Sequence, residues 1–108
     1  MYEYKATIKS NHDGDTLRID IDLGFGTLLL NQAIRLYGVN AFELKDAGGK
    51  EARDFVASKL PEGTEVIITT LKDKREKYGR YLAKIKLPDG TDLSESLIAA
   101  GHAIPYFG

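Results

Sequence analysis

Three short segments carry the residues with chemistry to offer. The first, His12-Asp13-Gly14-Asp15-Thr16, supplies carboxylates; the second, Ile34 to Glu43 (IRLYGVNAFE), supplies Arg35, Asn40 and Glu43; the third, Lys77 to Ala83 (KYGRYLA), supplies Lys77, Tyr78 and Arg80. Carboxylate and amide oxygens suit a hard divalent cation. Guanidinium groups match the oxygens of a phosphate in bidentate fashion. A carboxylate left over from metal binding can position water or move a proton. Together these are the requirements for cutting a phosphodiester, and no segment meets them alone.

Such residues need a frame that brings distant segments together. Tyr2, Tyr4, Ala6 and Ile8 alternate with polar residues, and Leu17, Ile19, Ile21 and Leu23 do the same after the HDGDT turn. Two antiparallel strands are predicted. Gly24-Phe25-Gly26 ends the second, and a third runs from about Thr27 to Val39, with Gly38 marking a bulge or bend. Ala52, Phe55, Val56 and Leu60 recur at helical spacing before Pro61 and Gly63, which predicts a helix over Lys50 to Leu60. Strands follow over Glu65 to Leu71 and Arg80 to Leu87, the latter ending in Pro88-Asp89-Gly90. Asp92 and Glu95 form a capping box for a second helix carrying Leu93, Leu97 and Ile98, closed by Gly101. Five short strands with a helix between the third and fourth are the element order of the oligonucleotide-binding (OB) barrel, an α+β arrangement here with two main helices.

Bulk properties narrow the function classes. A chain of 108 residues is expected to make one domain, 1–108, with a small core. Its 15 Lys and Arg against 16 Asp and Glu give a net charge of −1, so affinity for nucleic acid must come from local patches. The absence of cysteine excludes disulfides and thiolate metal sites. The opening MYEYKATIKS lacks the apolar core of a signal peptide, and no apolar run reaches the length of a membrane span. The expectation is a monomer in the cytoplasm with no membrane partner, while export of a longer precursor stays open.

From about Ala6 to Ala103 the chain resembles the staphylococcal nuclease (thermonuclease) family. That family's pattern is a DGDT loop, an arginine-bearing strand ending in Asp-x-Pro-Glu, a Gly-x-Glu-Ala helix start, a Tyr-Gly-Arg strand and a Gly-x-Ala near the last helix. Here these stand as DGDT at 13–16, Arg35 with NAFE at 40–43, GKEA at 49–52, YGR at 78–80 and GHA at 101–103. The resemblance implies an OB-type barrel and a calcium-dependent nuclease, although some relatives keep the fold as scaffold modules without catalysis. Two positions depart from the pattern. Asn40 replaces an aspartate, which removes a full charge from the metal site, and Phe42 replaces the proline that biases the residue before it to extended backbone. The Ala41 carbonyl is therefore expected to be less firmly aimed. The family's third helix lies beyond Gly108, so the chain reads as a compact homologue.

By resemblance, Asp15, Asn40 and the backbone carbonyl of Ala41 hold Ca2+, with Asp13 in support. Arg35 and Arg80 grip the phosphate, and Glu43 positions or deprotonates the attacking water. Lys77 and Tyr78 border the substrate pocket, with Tyr106 a second aromatic beside it. Each segment also has an ordinary reading: Asp-Gly is a frequent turn pair, a strand arginine can simply be solvated, and Lys72 to Lys77 can be a solvated charged loop. His12 is not part of the motif and reads as an exposed loop histidine. The expected function is calcium-dependent hydrolysis of DNA or RNA on the 5′ side of phosphorus, leaving 3′-phosphates, with single strands preferred. The alternative is a nucleic-acid-binding or scaffold module of the same fold whose metal site has decayed at Asn40.

Overall fold

A computed structural model describes residues 2–43, 47–75 and 80–106, with the backbone alone for 72–75. The alternating segments form β1 (Tyr2–Asp13), β2 (Thr16–Gly24) and β3 (Thr27–Leu36), followed by β4 (Gly38–Ala41) and helix α1 (Gly49–Lys59). Then come β5 (Glu65–Arg75), β6 (Tyr81–Lys86), helix α2 (Leu93–Ala99) and β7 (Ala103–Tyr106). Five strands close a barrel in the order β1-β2-β3-β6-β5, and β4 pairs with β7 in a separate two-stranded sheet. All barrel neighbours are antiparallel except β3 and β6, which run parallel over Ile34–Leu36 against Tyr81–Ala83. This is the expected barrel with two helices.

The period of two explains which faces are inside. Ala6, Ile8, Leu17, Ile19, Ile21, Ile34, Leu36, Ile68, Ala83 and Ile85 are all buried, and each alternates with an exposed or half-buried neighbour. Helix α1 adds Ala52 and Val56 to this core, and Leu60 follows at its end. Helix α2 adds Leu93 and Leu97. Truncating a fully buried leucine such as Leu97 to alanine costs about 2–5 kcal/mol in comparable cores.

The third strand breaks where the glycine signal placed a bend. Gly38 has φ 89, a conformation that favours glycine, and the chain turns there from the barrel into β4. The short strand β7 was not predicted. Its origin is the end of α2: the Gly101 N–H donates to the Ile98 carbonyl and the His102 N–H to the Leu97 carbonyl, with Gly101 at φ 81. That left-handed cap redirects the chain onto β4. Pro105 lies opposite Val39, and the Phe42 N–H bond to the His102 carbonyl fixes Ala41–Ala103 as a non-hydrogen-bonded pair. By alternation Val39–Pro105 is one as well, so the missing proline N–H removes no ladder bond.

Two further differences matter. Strand β5 continues to Arg75, so Lys72 to Arg75 belong to a strand rather than a loop. The β2–β3 hairpin extends past the barrel, which leaves Leu23 exposed despite its place in the alternation. Among the described residues, no helix is long and apolar enough to cross a membrane.

Candidate active site

The DGDT turn is seated by its glycine. A Cβ added at Gly14 would lie 2.7 Å from the Ala41 Cβ and 3.2 Å from the Ala52 Cβ, so a hydrogen is the largest substituent that fits between β4 and α1. Alanine at 41 and 52 serves the same close approach. The turn is also locked internally, since the Asp15 N–H donates to Asp13 Oδ1 at 3.1 Å. Its other anchor is β3, because the Leu36 N–H donates to the Asp15 carbonyl at 2.8 Å.

This seating buries the Asp15 side chain against β4. Asp15 Oδ2 accepts from the Ala41 N–H at 3.0 Å and lies 3.4 Å from Arg35 Nη1, while Oδ1 accepts from the Thr16 hydroxyl at 3.2 Å. Arg35 comes from β3, between the buried Ile34 and Leu36. Its guanidinium therefore projects from the outer face, where it donates through Nη1 to the Leu36 carbonyl at 2.6 Å and through Nη2 to Asn40 Oδ1. The Arg35 side chain is only 12% exposed. A positive group thus sits between the side-chain oxygens of Asp15 and Asn40, two of the residues expected to hold a cation.

Arg80 reaches the same cluster through Thr16. Its Nη1 donates to Thr16 Oγ1 at 3.0 Å, and the hydroxyl in turn donates to Asp15. One continuous set of hydrogen bonds and charge contacts therefore links Arg80, Thr16, Asp15, Arg35 and Asn40. Thr16 had no assigned role in the sequence analysis. The available signal was its place in the DGDT motif, but its link to the arginines is tertiary: β2 pairs Thr16 with Arg35 of β3, and Arg80, just before β6, donates to its hydroxyl.

Burial dominates the electrostatics of Asp15. It raises the carboxyl from an ordinary 3.8 to about 6, assisted by the hydrogen bond with Asp13 and opposed by the Arg35 charge and the Ala41 N–H. The buried carboxylate is under-compensated by its protein partners. Additional positive charge at this point would be favourable.

The donor set fits a hard cation in type. Asp15 supplies a carboxylate and Asn40 an amide oxygen, while the non-hydrogen-bonded pairing of Ala41 with Ala103 turns both the N–H and carbonyl of Ala41 to the edge away from β7. The N–H on that edge meets Asp15. The site is poor in charge, however: among the described residues no group of three or more His, Cys, Asp or Glu could hold a metal. Without the proline, the backbone after Ala41 has a different tether. Phe42 supplies the N–H that proline lacks, donating to the His102 carbonyl at 3.2 Å, and its ring packs on Gly48 at the start of α1.

The other predicted residues lie around this cluster. Asp13 stands behind Asp15 in the turn. Glu43 is exposed, two residues past the end of β4. Tyr106 is about half exposed and lies opposite Gly38, on the face of the β4–β7 sheet that carries Asn40. Lys77 and Tyr78 fall outside the described residues.

No curated protein matches the chain. A family model for staphylococcal nuclease homologues does match, over residues 33–107, which takes in Arg35, Asn40, Glu43 and Arg80. The DGDT turn precedes the matched span but is packed against it through Gly14 and Asp15. With a barrel of the expected order and well over half its length matched, the chain belongs to the staphylococcal nuclease homologue family.

Proposed function

We propose that this protein is a calcium-dependent nuclease that hydrolyses phosphodiester bonds in DNA or RNA. The observation that carries the reading is the Arg35 guanidinium lying between Asp15 and Asn40, with Arg80 one hydroxyl away. Asp15, Asn40 and the Ala41 carbonyl, with Asp13 in support, would hold calcium, which would supply positive charge to offset that of the phosphate. Arg35 then exchanges its carboxylate and amide partners for phosphate oxygens. Arg80 takes a second phosphate edge, and the two guanidinium groups stabilise the charge that builds on the five-coordinate phosphorus.

Glu43 positions or deprotonates a water for in-line attack. The water oxygen bonds to phosphorus, the 5′-oxygen leaves with a proton, and the upstream fragment keeps a 3′-phosphate. Single strands reach the site more readily than duplex, because an unpaired chain can present its phosphate and splay its bases. Lys77, Tyr78 and Tyr106 border the nucleotide in this reading, and the protein acts as a monomer.

One observation favours a second reading. Asn40 supplies no charge, and its oxygen is already engaged by Arg35. A non-catalytic nucleic-acid-binding module would show this, and would bind in the presence of chelator without cutting at any calcium concentration. The deciding experiment incubates purified protein with single-stranded DNA and with RNA across a calcium series, beside chelator and Glu43→Ala controls. The nuclease reading expects cleavage that both controls abolish or strongly reduce. Cleavage indifferent to both would remove this mechanism.

A further inference from the structure

Beside the Arg80–Thr16 contact, a cleft of about 470 Å³ opens on the outer face of β1, β2 and β3. That size is within the roughly 300–1,000 Å³ typical of small-ligand sites. Its lining includes Asn11, His12, Thr16, Arg18, Ala33 and Arg80, with two arginines and, among the described residues, no carboxylate, in a chain whose net charge is −1. Two of these residues, Thr16 and Arg80, also belong to the cluster described above. The cleft is therefore continuous with the phosphate site rather than separate from it.

Its far wall is built deliberately. Strand β3 bulges between its pairings with Ile19 and Ile21, and Asn31 at the bulge takes φ 54, a left-handed conformation uncommon outside glycine. The Asp20 carboxylate holds that conformation by accepting from the Asn31 N–H at 2.8 Å. The Asn31 carbonyl in turn accepts from Arg18 Nη1 at 3.0 Å. One guanidinium edge is thus fixed to the backbone. Ala33 contributes little bulk, and β1 bulges between Asn11 and Asp13, at His12, with both Asn11 and His12 lining the cleft. Asn11 is itself anchored, its Nδ2 donating to the Arg53 carbonyl of α1 at 2.9 Å.

We propose that this cleft binds the nucleotide next to the one whose phosphate is cleaved, with Arg18 on that nucleotide's own phosphate and the His12 ring available to stack on its base. The inference rests on the nuclease reading and adds a second substrate subsite to it. A subsite of this kind makes a longer single strand bind better than one nucleotide, through a contact remote from the reacting atoms.

The test measures binding of a fluorescent octathymidylate and of thymidine 5′-monophosphate in calcium-free buffer with chelator, for wild type, Arg18→Ala and Arg18→Lys, across a salt series. Arg18→Ala is expected to weaken the octamer roughly tenfold, the effect of losing one charge-assisted contact. It should also flatten the plot of log affinity against log salt by about 0.7, the increment for one phosphate on a single strand. The mononucleotide should bind unchanged, and Arg18→Lys should restore the salt slope. Equal octamer binding by wild type and Arg18→Ala overturns the proposal, as does equal weakening of both ligands. A wild type that cuts DNA while Arg18→Ala binds the octamer normally removes the subsite alone. A wild type that neither binds nor cuts removes the nuclease reading with it.

Discussion

Asp15→Asn in calcium-free protein should be stabilising at neutral and alkaline pH. Folded Asp15 titrates at about 6 and an unfolded aspartate at 3.8, so the folded state holds the extra proton between these values. Stability attributable to this group therefore falls as pH rises from about 4 through about 6 and is level above. The shift corresponds to about 3 kcal/mol at pH 8 and to only a small part of that at pH 4. Asparagine keeps an acceptor for the Ala41 N–H, adds a donor for Asp13, and carries no charge to desolvate. Urea unfolding of both proteins should then show a gap in favour of Asp15→Asn that widens by about 2 kcal/mol from pH 4 to pH 8, whatever constant offset the new amide brings. Saturating calcium should reverse the order at pH 8, because the wild type keeps the charged ligand and gains more from binding. A gap independent of pH, or one that moves against Asp15→Asn as pH rises, would mean that Arg35 and the Ala41 N–H outweigh burial and that the reasoning about this site is wrong.

Three further outcomes follow from the same geometry. Gly14→Ala, whose methyl would meet the Ala41 Cβ at 2.7 Å, should lower stability by about 1–3 kcal/mol in a thermal or urea melt. It should also weaken calcium binding, because the turn must move off β4. Thr16→Val removes the hydroxyl between Arg80 and Asp15 and should reduce kcat/KM for single-stranded DNA about tenfold, with far-ultraviolet dichroism unchanged. Asn40→Asp returns a second charge to the site and should lower the calcium concentration for half-maximal rate or half-maximal thermal stabilisation; an unmoved midpoint would mean residue 40 is not a ligand.

The barrel was legible because its strands obey one local rule. Ala6, Ile8, Leu17, Ile19 and Ile21 alternate in sequence and are buried in the structure, and the stop at Pro61 and the cap at Asp92 fall where their chemistry predicts. What stayed hidden depends on long-range pairing. Strand β7 is four residues containing a proline, and it becomes a strand only because β4 arrives beside it from more than sixty residues away. Leu23 keeps the alternation but lies beyond the point where other strands cover it. The site shows the same division. Arg35 could be placed on an outward face from its neighbours alone, whereas its position between Asp15 and Asn40 required the turn, β3 and β4 to be assembled. Thr16 was invisible for that reason: one partner of its hydroxyl, Asp15, is its sequence neighbour, but the other, Arg80, is 64 residues away and arrives only with the fold.

The central claim is that this cluster cuts phosphodiesters with calcium, and the chemistry of the product ends tests it most directly. Single-stranded DNA incubated with the purified protein in calcium, and in parallel with chelator, should be analysed by mass spectrometry. The account predicts fragments ending in 3′-phosphate and 5′-hydroxyl in the calcium reaction alone. Intact DNA at every calcium concentration, or fragments carrying 5′-phosphate, would contradict it.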